Sequence, residues 1–279
     1  GYYRLHTECE AGAYETLILC RPPHAPELPA PVWGATGALY GLRTNQNGGL
    51  GNYEDLGAVA EVLGQKGAQF FGVNPLHAIG WAEDDIISPY SPSHRGMFNT
   101  DHIAISDELG PCPDSALIDY PAFRSAQRMR LEEAFKAFEA AGDHTVFDAW
   151  SAQCSEDVHH FATFEAISER HGFDFRTWPE ALQSPGPAAN KAAGTRARFH
   201  LWLQWHADTQ IDTAQRQARG AGMSLGLYLD LAVGPRPDGA EVWMNSDTIA
   251  RGVTIGAPPD HLSPEGQSWA LAAHAPGRL

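Results

Sequence analysis

The sequence predicts an α/β chain that holds part of a (β/α)8-type barrel, with a large helical insertion and a short N-terminal strand segment. Apolar runs near 36–42, 68–74 and 224–231 read as buried strands that alternate with helical patterns, which is the signature of parallel βα units. Helical spacing fills most of about 106–190, between the second and third of those strands. Three strands fall short of the eight that close such a barrel, so the count allows the first part of a barrel or a small open sheet with a helical cap.

Residues 1–31 hold one apolar run, Glu15–Cys20, followed by a stretch dense in proline from Pro22 to Pro31. Proline at that density stops helix and sheet pairing alike, so the reading is a terminal strand and an extended linker. A lone strand is not stable and no initiator Met precedes it, so this segment is expected to be the end of a longer β element.

Residues 32–279 carry the barrel part. Ala35–Leu42 reads as the first strand. Asn52 suits a helix N-cap, with Glu54 and Asp55 at the positive end of the helix dipole and Leu56, Val59 and Leu63 on one face; Gly64 and Gly67 close it. Ala68–Val73 is a short buried strand ending at Asn74-Pro75, and residues 76–118 are loop-rich. Pro121 suits the first turn of a helix with Phe123, Leu131, Phe135 and Phe138 near one face and Gly142 as its stop. Phe147, Trp150, Cys154, Val158 and Phe161 mark a second helix ending near Gly172. After the loop Gln183–Pro187, a long helix from about Ala192 to Arg219 buries Phe199, Trp202, Leu203 and Ile211, and Leu225–Leu231 is another buried strand.

Composition narrows the function. The chain has 279 residues and a formal net charge of -15, which repels phosphate backbones and anionic lipid surfaces, so neither nucleic acid nor membrane is an expected partner. No apolar run approaches the roughly 18 residues of a membrane span and the N-terminus has no signal-peptide order, so a cytoplasmic location is expected. Cys9, Cys20, Cys112 and Cys154 are too scattered for a zinc ladder or a redox pair and read as free thiols or small core residues. His159-His160 are adjacent on a helix and point apart, and no HExxH occurs, so no metal is expected.

Two motifs fail on context. Gly222-Met223-Ser224-Leu225-Gly226 matches the G-x-S-x-G hydrolase elbow, but a helix precedes it and a strand follows, the reverse of what the elbow needs. Gly48-Gly49-Leu50-Gly51 lacks the GxGxxG spacing and a Walker lysine, and reads as a tight loop. The aromatic run Phe199–Trp205 covers more than one helix face and suits a core. Trp33, Trp81, Trp243 and Trp269 instead fall in loop-like sequence beside Gly, Pro and Asp, a composition suited to stacking on sugar rings and accepting from their hydroxyls.

Three segments carry the strongest signal: Asn74–Ala78 with Ser88–Ser93, Leu229–Val233 with Asp238–Trp243, and Gly256–Asp260 with Gly266–Trp269. They lie beyond the expected C-terminal ends of parallel strands, the functional face of such sheets. With NPLHA, SPYSPS, DGAEVW, a PPD turn and GQ-x-W in this order, and with LYGLR-x-N and GLGNYEDL ahead of them, the chain resembles the amylomaltase family of 4-α-glucanotransferases over roughly residues 30–270. The resemblance implies an α/β barrel with helical insertions and cofactor-free transfer of 4-α-glucan segments between maltodextrins. It implies that Asp230, Asp260, Gln267 and Trp269 bind glucan near the cleavage site, and that Ser88 and Tyr90 shape the loop over the donor side. The family's nucleophile segment R-I-D-H and acid/base segment E-D-L-G do not occur here; Glu108-Leu109-Gly110 is similar only on the surface. No catalytic residue is therefore assigned, and the 279 residues alone are expected to be inactive. Gly48 stands where the family often has an aromatic residue, Asn52 where an Asp is common, and Ala270 where it has Gly after GQ-x-W. A non-catalytic glucan-binding module is the alternative, an α/β-hydrolase using Ser224 a more distant one, and an unpaired barrel edge gives a surface for self-association.

Overall fold

Asn52 accepts from the Asp55 amide and Asp55 returns the bond to the Asn52 amide, a reciprocal cap that starts helix α1 (Tyr53–Gln65). This helix connects strand β3 (Gly34–Gly37) to strand β4 (Phe70–Val73), which pair in parallel from Gly34 with Phe70 to Gly37 with Val73. The computed structural model describes residues 1–24, 31–83, 85–105, 110, 113, 115 and 117–278. Cys112 and Glu108 lie outside the described residues.

Strand β7 (Gly226–Leu229) joins β4 on its other side, again in parallel, giving the order β3-β4-β7. The first strand is shorter than the sequence suggests. It stops at Gly37 because the Leu39 amide turns away to the Asn74 side chain at 2.8 Å, and a 3-10 turn over Leu39–Gly41 follows. β7 is not buried as expected: Tyr228 and Leu229 are exposed, because no strand among the described residues covers its outer edge.

Residues 76–118, expected as loop, contain a small ribbon of β5 (His77–Ala78) and β6 (His94–Phe98). Helix α2 (Tyr120–Ala141) opens with Asp119 capping the Ala122 amide and Pro121 in its first turn, and ends at Gly142 with φ 74°. The single helix expected next is two, α3 (Thr145–Gln153) and α4 (Glu156–His171), because Cys154 and Ser155 are extended. Ser155 followed by Glu156 and Asp157 is itself a helix start, with acidic residues at the positive end of the dipole. α5 (Pro187–Ala193) likewise separates at Gly194 from the long α6 (Arg196–Gly220). A short helix, α7 (Ala240–Met244), and an antiparallel hairpin of β8 (Ile249–Ala257) and β9 (Gln267–His274) complete this unit; the hairpin was expected as loops.

Two apolar clusters hold Trp33–Leu279 together. One packs Leu56, Phe71, Leu131, Phe147, Phe199, Trp202 and Leu203 between the sheet, α1, α2, α3 and α6. The aromatic run of α6 is thus core, as its spacing implies. Gly57 in α1 faces Ala214 of α6, where a Cβ would sit 3.3 Å from the Ala214 Cα, so α1 needs glycine there to approach. The second cluster surrounds Trp243 with Phe164, Trp178 and Ala272.

Residues Gly1–Val32 form a separate unit. Here the expected single strand is a hairpin, β1 (Tyr2–Cys9) paired with β2 (Gly12–Leu19) from Tyr2 opposite Leu19 to Cys9 opposite Gly12. The alternation of Arg4, His6 and Glu8 with Tyr3, Leu5 and Thr7 is the period-two signal for β1. No helix among the described residues is long and apolar enough to cross a membrane.

Candidate functional site

The C-terminal ends of β3, β4 and β7 open onto a cleft of about 400 Å³ lined by Thr36, Tyr40, Asn74, Tyr90, Tyr228 and Asp230, among others. A second cavity of about 490 Å³ shares Tyr90 with it and is lined by Leu231, Ala232, Val233, Leu271 and Trp269. Both lie where parallel sheets carry their ligands, and each has the volume of a small-molecule site. Asp230 follows the last residue of β7 and is exposed to the cleft. Partial desolvation, and then the charge and hydrogen bond of Asp230, push the Tyr90 phenol above its ordinary pKa.

Tyr90 is projected by its own turn. The Ser88 hydroxyl accepts from the Tyr90 amide at 3.2 Å and the Ser88 carbonyl accepts from Ser91 at 3.2 Å. The next residues fasten the turn to the rest of the site. Ser93 accepts from the Ala240 amide through its hydroxyl and from the Glu241 amide through its carbonyl, both at 2.9 Å, and so caps α7 from outside. Gly239 is required at that junction: a Cβ would lie 2.6 Å from the Ser93 carbonyl oxygen.

Arg95 ties three segments together. Its guanidinium forks onto Glu241 at 2.5 and 3.0 Å, approaches His274 Nε2 at 3.0 Å and reaches the Val233 carbonyl at 3.3 Å. Burial pushes the Glu241 carboxyl up, and the Arg95 hydrogen bonds and charge overcome that and hold it below the usual carboxylate range. The hairpin is tied to the same place, since Ala272 donates to Pro235 at 2.8 Å and Gly234 abuts Ile255 and Leu271.

The structure therefore brings Tyr90, Asp230 and Trp269 to adjoining cavities and leaves Asp260 and Gln267 at the hairpin turn. Asp260 accepts from the Leu262 and Ser263 amides at 2.8 and 2.6 Å, closing that turn. Gln267 accepts from the Trp269 indole N–H at 3.0 Å. These two segments do not follow parallel strands as expected; they belong to the antiparallel hairpin. Of the four tryptophans singled out from the sequence, only Trp269 lines these cavities. Trp243 is fully buried and donates to the Leu182 carbonyl, Trp81 packs edge-on against Phe199 and His200, and Trp33 lies ahead of β3 with its carbonyl held by Gln69.

Sequence reasoning passed over Tyr40 and Tyr228. Tyr228 stands two residues before Asp230, on the same face by strand alternation, and that spacing was a usable signal. Tyr40 sits in the 3-10 turn that replaces the end of the first expected strand, for which the sequence pattern gave no sign. Ser224 lies in an exposed helix-to-strand turn with no histidine among its hydrogen-bond partners in the described residues, so the elbow reading gains nothing. Among the described residues no three His, Cys, Asp or Glu side chains gather as metal ligands.

The sequence pattern of glycoside hydrolase family 77, described as 4-alpha-glucanotransferase, matches residues 38–279. The chain belongs to this family. A relative in Mycobacterium tuberculosis (strain ATCC 25618 / H37Rv), a 4-alpha-glucanotransferase, is 34% identical over 89% of the chain and 38% of its own length. The 4-alpha-glucanotransferase of Haemophilus influenzae is 28% identical over 99% of the chain and 46% of its own length. The crystal structure of amylomaltase from Corynebacterium glutamicum superposes with a TM-score of 0.73 and 27% identity, covering 100% of this chain and 42% of that one. Amylomaltase from Streptococcus agalactiae in complex with acarbose shares the fold, with a TM-score of 0.73 at 18% identity over 87% of this chain and 53% of that one. The chain thus spans less than half the length of these two 4-alpha-glucanotransferases.

Proposed function

We propose that the chain is the glucan-binding part of a cytoplasmic 4-α-glucanotransferase, which moves 4-α-glucan segments between maltodextrins by a retaining double displacement without a cofactor. The observation that carries this reading is the meeting of Tyr90, Asp230 and Trp269 at adjoining cavities above a parallel sheet. The aromatic faces of Tyr90 and Trp269 suit the apolar faces of glucose rings, and the Asp230 carboxylate suits a pair of sugar hydroxyls. Ser88 serves by holding the Tyr90 turn. Asp260 and Gln267 contact glucan at the hairpin rim, Gln267 also by fixing the Trp269 indole.

A retaining mechanism requires two carboxyl groups about 5 Å apart, one as nucleophile and one as acid and then base. Among the described residues lining the two cavities Asp230 is the only carboxylate. That count favours a second reading for the 279 residues taken alone, binding without chemistry. The exposed edge of β7, with Tyr228, Leu229 and Leu231, gives the isolated chain a surface for self-association, and sedimentation as a monomer at high concentration argues against that part.

Incubation with maltotriose tests the whole. The gene-encoded protein is expected to release glucose and build longer dextrins, whereas the 279 residues alone bind maltodextrin weakly and release none. Turnover by the 279 residues that disappears on Asp230→Asn would place the chemistry on Asp230 and defeat the assignment of roles.

A further inference from the structure

His77 touches the segment that carries Asp230 from beneath the cleft. It is buried on β5, and its Nε2 accepts from the Ala232 amide at 3.1 Å while the ring is also hydrogen-bonded to the Arg95 backbone. An accepting Nε2 requires the ring to be neutral with its proton on Nδ1. One residue further on, the Val233 carbonyl accepts from the Arg95 guanidinium at 3.3 Å. The wall between Asp230 and Gly234 is therefore held by one amide and one carbonyl, to side chains on β5 and β6.

We propose that neutral His77 is a positioning residue that fixes the Asp230–Val233 segment as one wall of the glucan cleft. The inference rests on the glucan reading above and extends it to a residue that does not touch substrate. The charged and titratable groups facing His77 are Arg95 and His94 on β6, Glu241 on α7 and Asp230 beyond β7. Burial and then Arg95 disfavour its protonation, Glu241 and Asp230 favour it, and the balance lies below the ordinary histidine value. Protonation would turn Nε2 into a donor aimed at the Ala232 N–H, which breaks the bond and releases the wall on the acid side.

The test uses the gene-encoded protein and two variants, His77→Leu with no acceptor and His77→Gln with one. His77→Leu is expected to raise the maltodextrin KM about tenfold with kcat within about threefold, and His77→Gln to recover most of that loss. Wild-type KM rises as the pH falls through the acid side of the histidine range, and His77→Gln lacks that rise. Exchange of the Ala232 amide, read by NMR, is expected to quicken at least tenfold in His77→Leu. An Ala232 amide that exchanges alike in all three proteins overturns the proposal, as does an acid rise in KM that survives in His77→Gln or a loss confined to kcat. If His77→Leu does not fold, the His77→Gln profile decides. If the wild type turns over no glucan, the glucan reading fails separately, and Ala232 exchange still decides whether His77 holds the wall.

Discussion

Trp269 and Ala270 are the two residues by which β9 exceeds β8 between the pair Ile255–Leu271 and the pair Gly256–Ser268. The excess lifts Trp269 out of the ladder toward the cavity it lines, and the chain returns to register through Ala270, whose φ is +53°. It is the one non-glycine residue with positive φ among the described residues. The left-handed region costs an L-residue roughly 1–2 kcal/mol, part of which glycine returns as unfolded-state entropy. Ala270→Gly is expected to stabilise the protein by about 0.5–1 kcal/mol, and Ala270→Val to destabilise it by more than about 1 kcal/mol, since a β-branched residue suits positive φ worst. Denaturant midpoints read both, and a destabilised Ala270→Gly would show that the bulge is not strained.

The same bulge sets a prediction about binding. Trp269 is 43% exposed, so removing it leaves no buried cavity, and the fold is expected to tolerate Trp269→Ala within about 0.5 kcal/mol. Maltoheptaose affinity is expected to fall about tenfold, as for a lost stacking platform, and Trp269→Phe to retain most of it. Calorimetric titration against thermal melting separates the two effects. Equal affinity for the wild type and Trp269→Ala would remove Trp269 from the site.

Glu165 makes a pH prediction. Its carboxyl is buried on α4, accepts from the Trp81 amide at 2.6 Å through Oε2 and leaves Oε1 without a hydrogen-bond partner among the described residues, and burial raises its pKa to about 7. The folded state therefore binds a proton that the unfolded chain releases near 4.5, and stability from this group is lost as pH rises from 4.5 through 7. Glu165→Gln keeps an acceptor for Trp81 without a charge to bury. Its stability relative to wild type is expected to climb by about 3 kcal/mol between pH 4.5 and pH 8. A flat difference over that window in urea unfolding would mean that Glu165 titrates as an ordinary carboxylate.

Much of the frame could be read from single residues. Asn52, Pro121 and Gly142 mark helix ends because caps act within one turn, and the β3–α1–β4 unit is local in sequence. The breaks at Cys154-Ser155 and Gly194 were legible in principle, yet apolar spacing runs straight across both and hides them. The C-terminal hairpin was not legible, and of the N-terminal one only the apolar run Glu15–Cys20 was read as strand, although β1 carries a period-two alternation. In β8 and β9 exposed residues come in runs rather than in alternation with buried ones, so no clean inside-and-outside pattern survives there. In the candidate site, the motifs named segments that the fold brings together, but they did not separate buried supports from residues that face the cavities. His77, Ser93, Arg95, Gly239, Glu241 and Trp243 are buried or half-buried supports, and the cleft is faced by Tyr90, Asp230 and Trp269. A motif records which residue types a segment needs, and only packing distinguishes a support from a contact.

The support itself makes the last prediction. The Arg95–Glu241 pair is largely removed from water, with side-chain exposures of 20% and 10%, and each member also holds backbone: Glu241 accepts from the Arg95 amide at 2.8 Å and Arg95 donates to Val233. Deleting one member leaves a desolvated charge behind, so Glu241→Leu is expected to cost about 3 kcal/mol. Arg95→Lys keeps the charge but replaces a planar fork by a point donor that cannot reach Glu241, Val233 and His274 together, and about 2 kcal/mol is expected. Glu241 is held below its ordinary pKa, so the stability it contributes is present above the unfolded value and lost as pH falls through the folded one. The gap between wild type and Glu241→Gln should therefore narrow in acid, opposite in sense to the Glu165 effect. Urea unfolding of the three variants across pH measures this, and a gap that widens in acid would show that burial, rather than Arg95, governs Glu241.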